Sequence, residues 1–530
     1  MNMISEPQSR LPQILQLALV AAILFGLTTF LQIRGGAYKS EFGGHPDEAA
    51  HYVTGLMIRD YVAAGFPGHP KKYADNYYAH YPKVALGNWP PMFYLMQTGW
   101  TLLFTPERTS MFIFMAVFTT GVGLLLFHLV RQRLGFSAGL ITGLLFVMTP
   151  LTQRHTSMLM TEVPITLFTL LALYFLAKFF ETKRTRDSVL FGVFASIAIL
   201  TKGSGMFLAL VPVLTIVITR NFQIMRRLNF WYPAVIVAIL CGPWTFAFRN
   251  IARAGWMEEN PSMNFTSQAL QFYPGNLVWS VGIALAALAI AGITSELKLA
   301  RKGAGVRAVV FASAIVSLLF FHSIMPVGLE DRHLLPVLPL VIYFAIFGAH
   351  FFGVALSRKF RASEATVIMA AVAIFLLVTF KIPVKGYSGF GKPAEMLLRE
   401  APDTKTKFLV SSDAQGEGMF IAEVAMREKR PGHVVQRTSK ALASSTWSGS
   451  GYSAKFENEA AVIKYLKEQE FQYVVVDSSM PPYQWREHHK LLSRTVEQFP
   501  NEFSLLENFS VQRKGVWTNA LAIYRLDIPE

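Results

Sequence analysis

The stretch Gly44-His45-Pro46-Asp47-Glu48-Ala49-Ala50-His51-Tyr52 sets two adjacent carboxylates just after a hydrophobic segment. At a membrane surface a carboxylate is partly desolvated, which raises its basicity and suits it to take a proton from an attacking group. The plainer reading is a solvated loop in which Asp47 caps a helix. Further along, ionisable residues stand at the ends of apolar runs: Arg154 and His155, Glu162, Lys202, and Glu330-Asp331-Arg332-His333. Charges at membrane depth are costly and are held there by pairing or by function. Each has a structural alternative: Lys202 as a snorkelling cation, Arg332 as the partner of Glu330 or Asp331, and Glu162 as a helix-start acid favoured by the dipole.

A base, several cations and a membrane-embedded mouth suit one chemistry in particular, transfer of a group from a lipid-linked phosphate. A phosphate leaving group needs charge neutralisation more than protonation, so Lys and Arg serve it. One carboxylate is then enough to deprotonate the acceptor, whereas glycoside hydrolysis needs a pair. Lys83, Asn88 and Trp89 share the loop of the acid pair and are placed to line such a site.

The elements that must position these residues follow from composition. Of 530 residues, 52% are hydrophobic and 16% charged, and 43 are Phe; the mean hydropathy is +0.36. This is a polytopic membrane protein. Residues 1–383 carry 30 Lys and Arg against 16 Asp and Glu, while 384–530 carry 19 against 18, so the basic excess belongs to membrane loops and nucleic acid is not the partner. The single cysteine, Cys241, allows no intrachain disulfide. Residues 11–31 are long enough to span and show no small-residue cleavage site, which predicts an uncleaved first helix.

Residues 34–90 form a long polar and aromatic loop, and 89–104 a short interfacial run opened by Pro90 and Pro91. Further spans are expected at 110–130, 136–149, 163–179, 188–200, 205–219, 229–248, 276–293, 308–324, 334–353 and 365–380, about eleven in all. Loops carrying Arg131 and Arg133, Lys178 to Arg186, Arg220 to Arg227, Lys298 to Arg307, and Arg358 to Arg361 then share the cytoplasmic face. The acid pair, residues 154–162, Lys202, 249–274, 325–333 and everything after the last helix fall on the outer face. From Pro383 the pattern changes: strands are expected at 407–411, 433–437, 473–477 and 521–526, with amphipathic helices at 417–427, 457–468 and 484–499. The fold class is thus an α-helical polytopic membrane domain over 1–383 and a C-terminal soluble α/β domain over 384–530 with a mostly parallel sheet.

This order of features resembles the GT-C superfamily of polyprenyl-phosphate-sugar-dependent glycosyltransferases, in particular the aminoarabinose lipid A transferase and protein O-mannosyltransferase group, over residues 10–380. Asp47-Glu48 with Tyr52 looks like the first-loop acid motif and Trp89-Pro90-Pro91-Met92-Phe93-Tyr94 like the Pro-Pro-aromatic segment. Pro150 to Pro164 resembles the second outer loop, and Arg332-His333-Leu334-Leu335-Pro336 an Arg-Tyr-Leu-Leu-Pro stretch with His in place of Tyr. Asn88 and Trp89 stand where the family has a basic residue or His before the Pro pair, leaving Lys83 as the substitute, and Glu162 replaces the more usual Asp. The resemblance implies an inverting glycosyltransferase in the inner (plasma) membrane, with its active site and C-terminal domain on the periplasmic or extracellular side. Asp47 would be the base, and Glu48 would support it or help hold a divalent metal ion. Lys202 and Arg332 would neutralise the donor phosphate, while Lys83, Arg154, Glu162 and His333 would bind substrate. The implied partners are a polyprenyl-phosphate-linked sugar, a glycan, lipid or protein acceptor, and membrane lipids. A transporter would need polar groups at the bilayer midplane and inverted repeats, neither of which the sequence shows; a non-catalytic envelope assembly protein is the other alternative.

Overall fold

The computed structural model describes residues 10–256, 261–301, 305–360, 364–446, 449 and 451–527. Among the described residues, seven helical stretches are long and apolar enough to cross a membrane, from Gln13–Arg34 at the start to Asp331–Ser357; Gly203–Thr219 and Ala365–Thr379 are shorter apolar helices. The stretch Arg108–Met148 is two helices folded back at Gly135, whose φ of 83° only glycine adopts without strain. The returning half then packs so closely that a Cβ on Gly143 would meet the carbonyl of Gly123 at 2.8 Å.

The span expected at 276–293 is corrected. The chain breaks at Gly282 (φ 82°), giving separate helices Met263–Val281 and Ile283–Arg301, and much of the expected outer loop 249–274 is helical. A side chain at Gly282 would also strike Thr379 Oγ1, so the break is fixed by packing as well as by φ. Lys302 and Arg361 of the basic-loop pattern lie outside the described residues.

The C-terminal region is built on strands β1 (Tyr387–Ser388), β2 (Lys407–Ser411), β3 (Val434–Arg437), the small pair β4 (Ala443–Ser444) and β5 (Ser453–Ala454), β6 (Phe471–Asp477), β7 (Phe503–Arg513) and β8 (Val516–Leu526). The main sheet runs β1-β7-β8-β6-β2-β3. Only β6-β2 and β2-β3 are parallel, so the expected mostly parallel sheet is in fact mixed. Alternation along β2 sends Phe408 and Val410 to one core and Leu409 to another. The first core is continuous with that of the membrane helices, and it includes Met419 and Phe420 of the helix Ala414–Arg427. That helix lies against Pro46–Ala63, which carries the acid pair.

Candidate active site

Asp47 sits in the first turn of Pro46–Ala63. His45, not Asp47, is the N-cap: its Nδ1 accepts from the Asp47 N–H at 3.1 Å, and Pro46 occupies the first helical position where a missing N–H costs nothing. The Asp47 carboxylate is therefore free to face a cavity of about 350 Å³, whose wall also includes Glu162, Lys202, Arg332 and His333. Three structural breaks deliver these groups. Glu162 opens the helix Glu162–Thr182, Lys202 closes Thr185–Thr201, and Arg332 lies in the 3-10 turn Asp331–Val337.

The charges interlock. Lys202 Nζ donates to Glu162 Oε1 at 2.7 Å. Arg332 Nη1 stands 3.5 Å from Asp47 Oδ2 and 3.6 Å from Glu162 Oε1, and its Nε is 2.7 Å from Glu330 Oε2. Burial pushes the Glu330 carboxyl up, but His45 and Arg332 outweigh it and hold the group down at about 2. His51, one helical turn after Asp47, is driven down to about 4 by burial, against the pull of Asp47 and Glu162. It is thus a neutral ring, bonded to Tyr94 Oη at 3.0 Å and 4.5 Å from the Trp89 ring. Opposite, His333 stacks on His322 at 4.5 Å and shares a 3.1 Å hydrogen bond with Tyr273. The cavity thus brings three carboxylates, Asp47, Glu162 and Glu330, together with two cations, Lys202 and Arg332, between aromatic and imidazole walls.

Residues 88–246 match the protein family described as dolichyl-phosphate-mannose-protein mannosyltransferase. Across the whole chain the fold matches the crystal structure of ArnT from Cupriavidus metallidurans in the apo state, with a TM-score of 0.62 at 14% identity, covering 98% of each chain. This chain has an ArnT-like fold. The same ArnT bound to undecaprenyl phosphate matches at a TM-score of 0.56, again at 14% identity and 98% of each chain. Archaeal oligosaccharyltransferase AglB from Archaeoglobus fulgidus, in complex with an inhibitory peptide and a dolichol-phosphate, matches at 0.55 and 13% identity over 97% of this chain and 75% of that one. Among the curated proteins none matches.

Within this fold three sequence-predicted site residues lie off the cavity. Glu48 is turned away from it: its carboxylate takes Lys385 Nζ at 2.5 Å, the Leu159 N–H at 3.0 Å and the Gly44 N–H at 2.8 Å, all in the interior. Three donors hold this buried carboxylate away from the cavity, so it does not reach an acceptor there. Lys83 stands behind the wall, donating to the carbonyl of Ala414, which itself lines the cavity. Arg154 pairs with Asp331 in a second cavity of about 680 Å³ bounded by the break at Gly282 and the end of the last helix. Among the described residues no three His, Cys, Asp or Glu side chains converge to hold a metal ion.

Sequence reasoning did not assign His45, His51 or His322 to the site. The spacing of four between Asp47 and His51 puts both on one helix face and was a usable signal. His322 offered only a polar side chain near the end of an apolar helix.

Proposed function

We propose that this enzyme moves a sugar from a polyprenyl phosphate to an acceptor at the outer membrane face, with Asp47 as general base. The observation that carries the proposal is the convergence of Asp47, Glu162, Lys202 and Arg332, from four separate elements, on one cavity. Asp47 removes the proton from the acceptor. The acceptor atom attacks the anomeric carbon from the face opposite the phosphate, the carbon–oxygen bond to phosphate breaks, and the lipid phosphate leaves with the bonding pair. One displacement inverts the anomeric centre. Lys202 and Arg332 neutralise the departing phosphate, and Glu162 holds both cations in place.

The lipid tail has a path beneath Lys202. Ile199, Ala195 and Phe191 descend the same helix and line an apolar cavity of about 670 Å³, closed on the other side by Leu208, Ile216 and Trp231. We assign eleven crossings with the N-terminus inside, a membrane domain over 1–383 and an outward domain over 384–530. The helix Ala414–Arg427 then covers the cavity mouth, which suits acceptor recognition. Glu48 is a positioning residue that fixes the start of the Asp47 helix through Lys385.

Purified protein incubated with radiolabelled polyprenyl-phosphate sugars and membrane lipid or glycan extracts tests the proposal. Asp47→Asn is expected to lower transfer by about 100- to 10,000-fold while retaining donor binding. Full activity in that variant sinks the assignment, and movement of unchanged solute across vesicles would favour a transporter.

A further inference from the structure

We propose that the turn joining β7 to β8 is seated in the lipid–water interface, so that the α/β region rests directly on the bilayer as well as on the membrane helices. The turn is tied to the membrane boundary by a short chain of contacts. β1 pairs with the end of β7 through Tyr387↔Arg513, and the Gly515 N–H donates to the Gly386 carbonyl at 3.1 Å. The neighbouring Lys385 N–H donates to the carbonyl of Gly35 at 2.8 Å, and Gly35 directly follows the first apolar helix, Arg10–Arg34. A Cβ on Gly35 would lie 2.8 Å from the carbonyl of Pro383, itself just beyond the last apolar helix, Ala365–Thr379. The turn is therefore adjacent to the ends of two apolar helices.

The residues around it are those of an interface. Val384 is 71% exposed, Tyr483 78%, Val516 67% and Trp517 57%. Val516 and Trp517 point to opposite faces of the hairpin, and both faces are bare from Val516 to Asn519. Lys381 and Lys514 flank the patch and are also exposed. Trp and Tyr concentrate at the headgroup level, and lysines beside them meet lipid phosphates. A bare aromatic strand end facing water would instead invite edge pairing and aggregation. Continuity with the apolar helix ends, together with the flanking lysines, selects a lipid surface over a protein partner.

The test uses the full chain in nanodiscs of phosphatidylcholine and phosphatidylglycerol, in a Cys241→Ala background so that one engineered thiol carries an environment-sensitive fluorophore. Trp517→Cys and Val516→Cys are compared with Lys464→Cys, whose side chain is 76% exposed on a helix of the α/β region. Spin-labelled lipid is expected to quench the labels at 516 and 517 at least about twofold more than the label at 464, and aqueous iodide to quench them less. Two results overturn the proposal: iodide quenching equal to that at 464 with no response to spin-labelled lipid, or protection from both quenchers, which would place a protein partner on the turn. Two independent label sites keep the outcome readable if one variant folds poorly.

Discussion

Asp47 and Glu48 are neighbours in sequence with opposite fates. Helix geometry turns consecutive residues about 100° apart, so only one of them can face the cavity. The acid pair, Glu162, Lys202 and Arg332 were legible because charges flanking apolar runs are conspicuous; the ion pair that removes Glu48 was not, because Lys385 stands 337 residues away in sequence. Lys83 illustrates the next step. Its ammonium is buried with a backbone carbonyl as hydrogen-bond partner, and no carboxylate lies within ion-pair distance among the described residues. Burial, with the charge of Arg437 adding to it, brings its pKa down to about 8. A buried ammonium without a counter-charge costs folding free energy, and a residue that costs stability is kept for another reason. Lys83→Met is expected to raise stability by about 1–2 kcal/mol, net of one lost hydrogen bond, and to lower turnover. Chemical denaturation and a transfer assay on one preparation check this. A stability gain with unchanged turnover would remove Lys83 from the site.

At the scale of elements, the hydropathy pattern located the apolar helices and the spacing of β-branched residues located β2 and β3, but the breaks needed contacts. The strand β7 was missed because five consecutive exposed residues, Ser504 to Asn508, erase its alternation. The break at Gly282 was missed because apolar residues continue through it. Packing between helices shows the same dependence on single atoms. Ile283–Arg301 and Leu338–Phe360 cross at Gly292 and Gly348, where a Cβ on either glycine would fall 1.9 Å from a carbonyl oxygen of the other helix. Within a bilayer such close backbone approach, rather than hydrophobic exclusion, holds helices together. Gly348→Val must part the two backbones and is expected to cost about 1–3 kcal/mol. Arg332 lies on the segment that leads into Leu338–Phe360, so the donor KM should rise as well. Unchanged melting in detergent and unchanged KM would show that the crossing is dispensable.

For the whole molecule, the question is what keeps the α/β region on the membrane helices. Arg430 pairs with Asp60 at 2.7 Å, and Tyr81 donates to Glu428 at 2.6 Å. A further buried joint is at Glu41, whose carboxylate accepts the N–H groups of Gly389, Phe390 and Gly391 at 2.9–3.1 Å. Glu423 lies close by and is itself paired with Arg108 and Arg427. Burial and then the charge of Glu423 push the Glu41 carboxyl up to about 7, from an ordinary value of 4.5, although Arg108 and the backbone donors pull the other way. Between pH 4.5 and 7 the folded state therefore holds a proton that the unfolded chain has released. Stability from this joint is complete below about 4.5 and is lost as the pH rises through about 7, a change on the order of 3 kcal/mol. The melting temperature is expected to fall across that window, and Glu41→Gln, which cannot ionise, should remove that part of the slope while leaving the Asp47 cavity intact. If wild type and Glu41→Gln melt with the same pH dependence from 4.5 to 7, the joint does not titrate, and the hold on the α/β region rests on the Arg430, Tyr81 and Lys385 contacts instead.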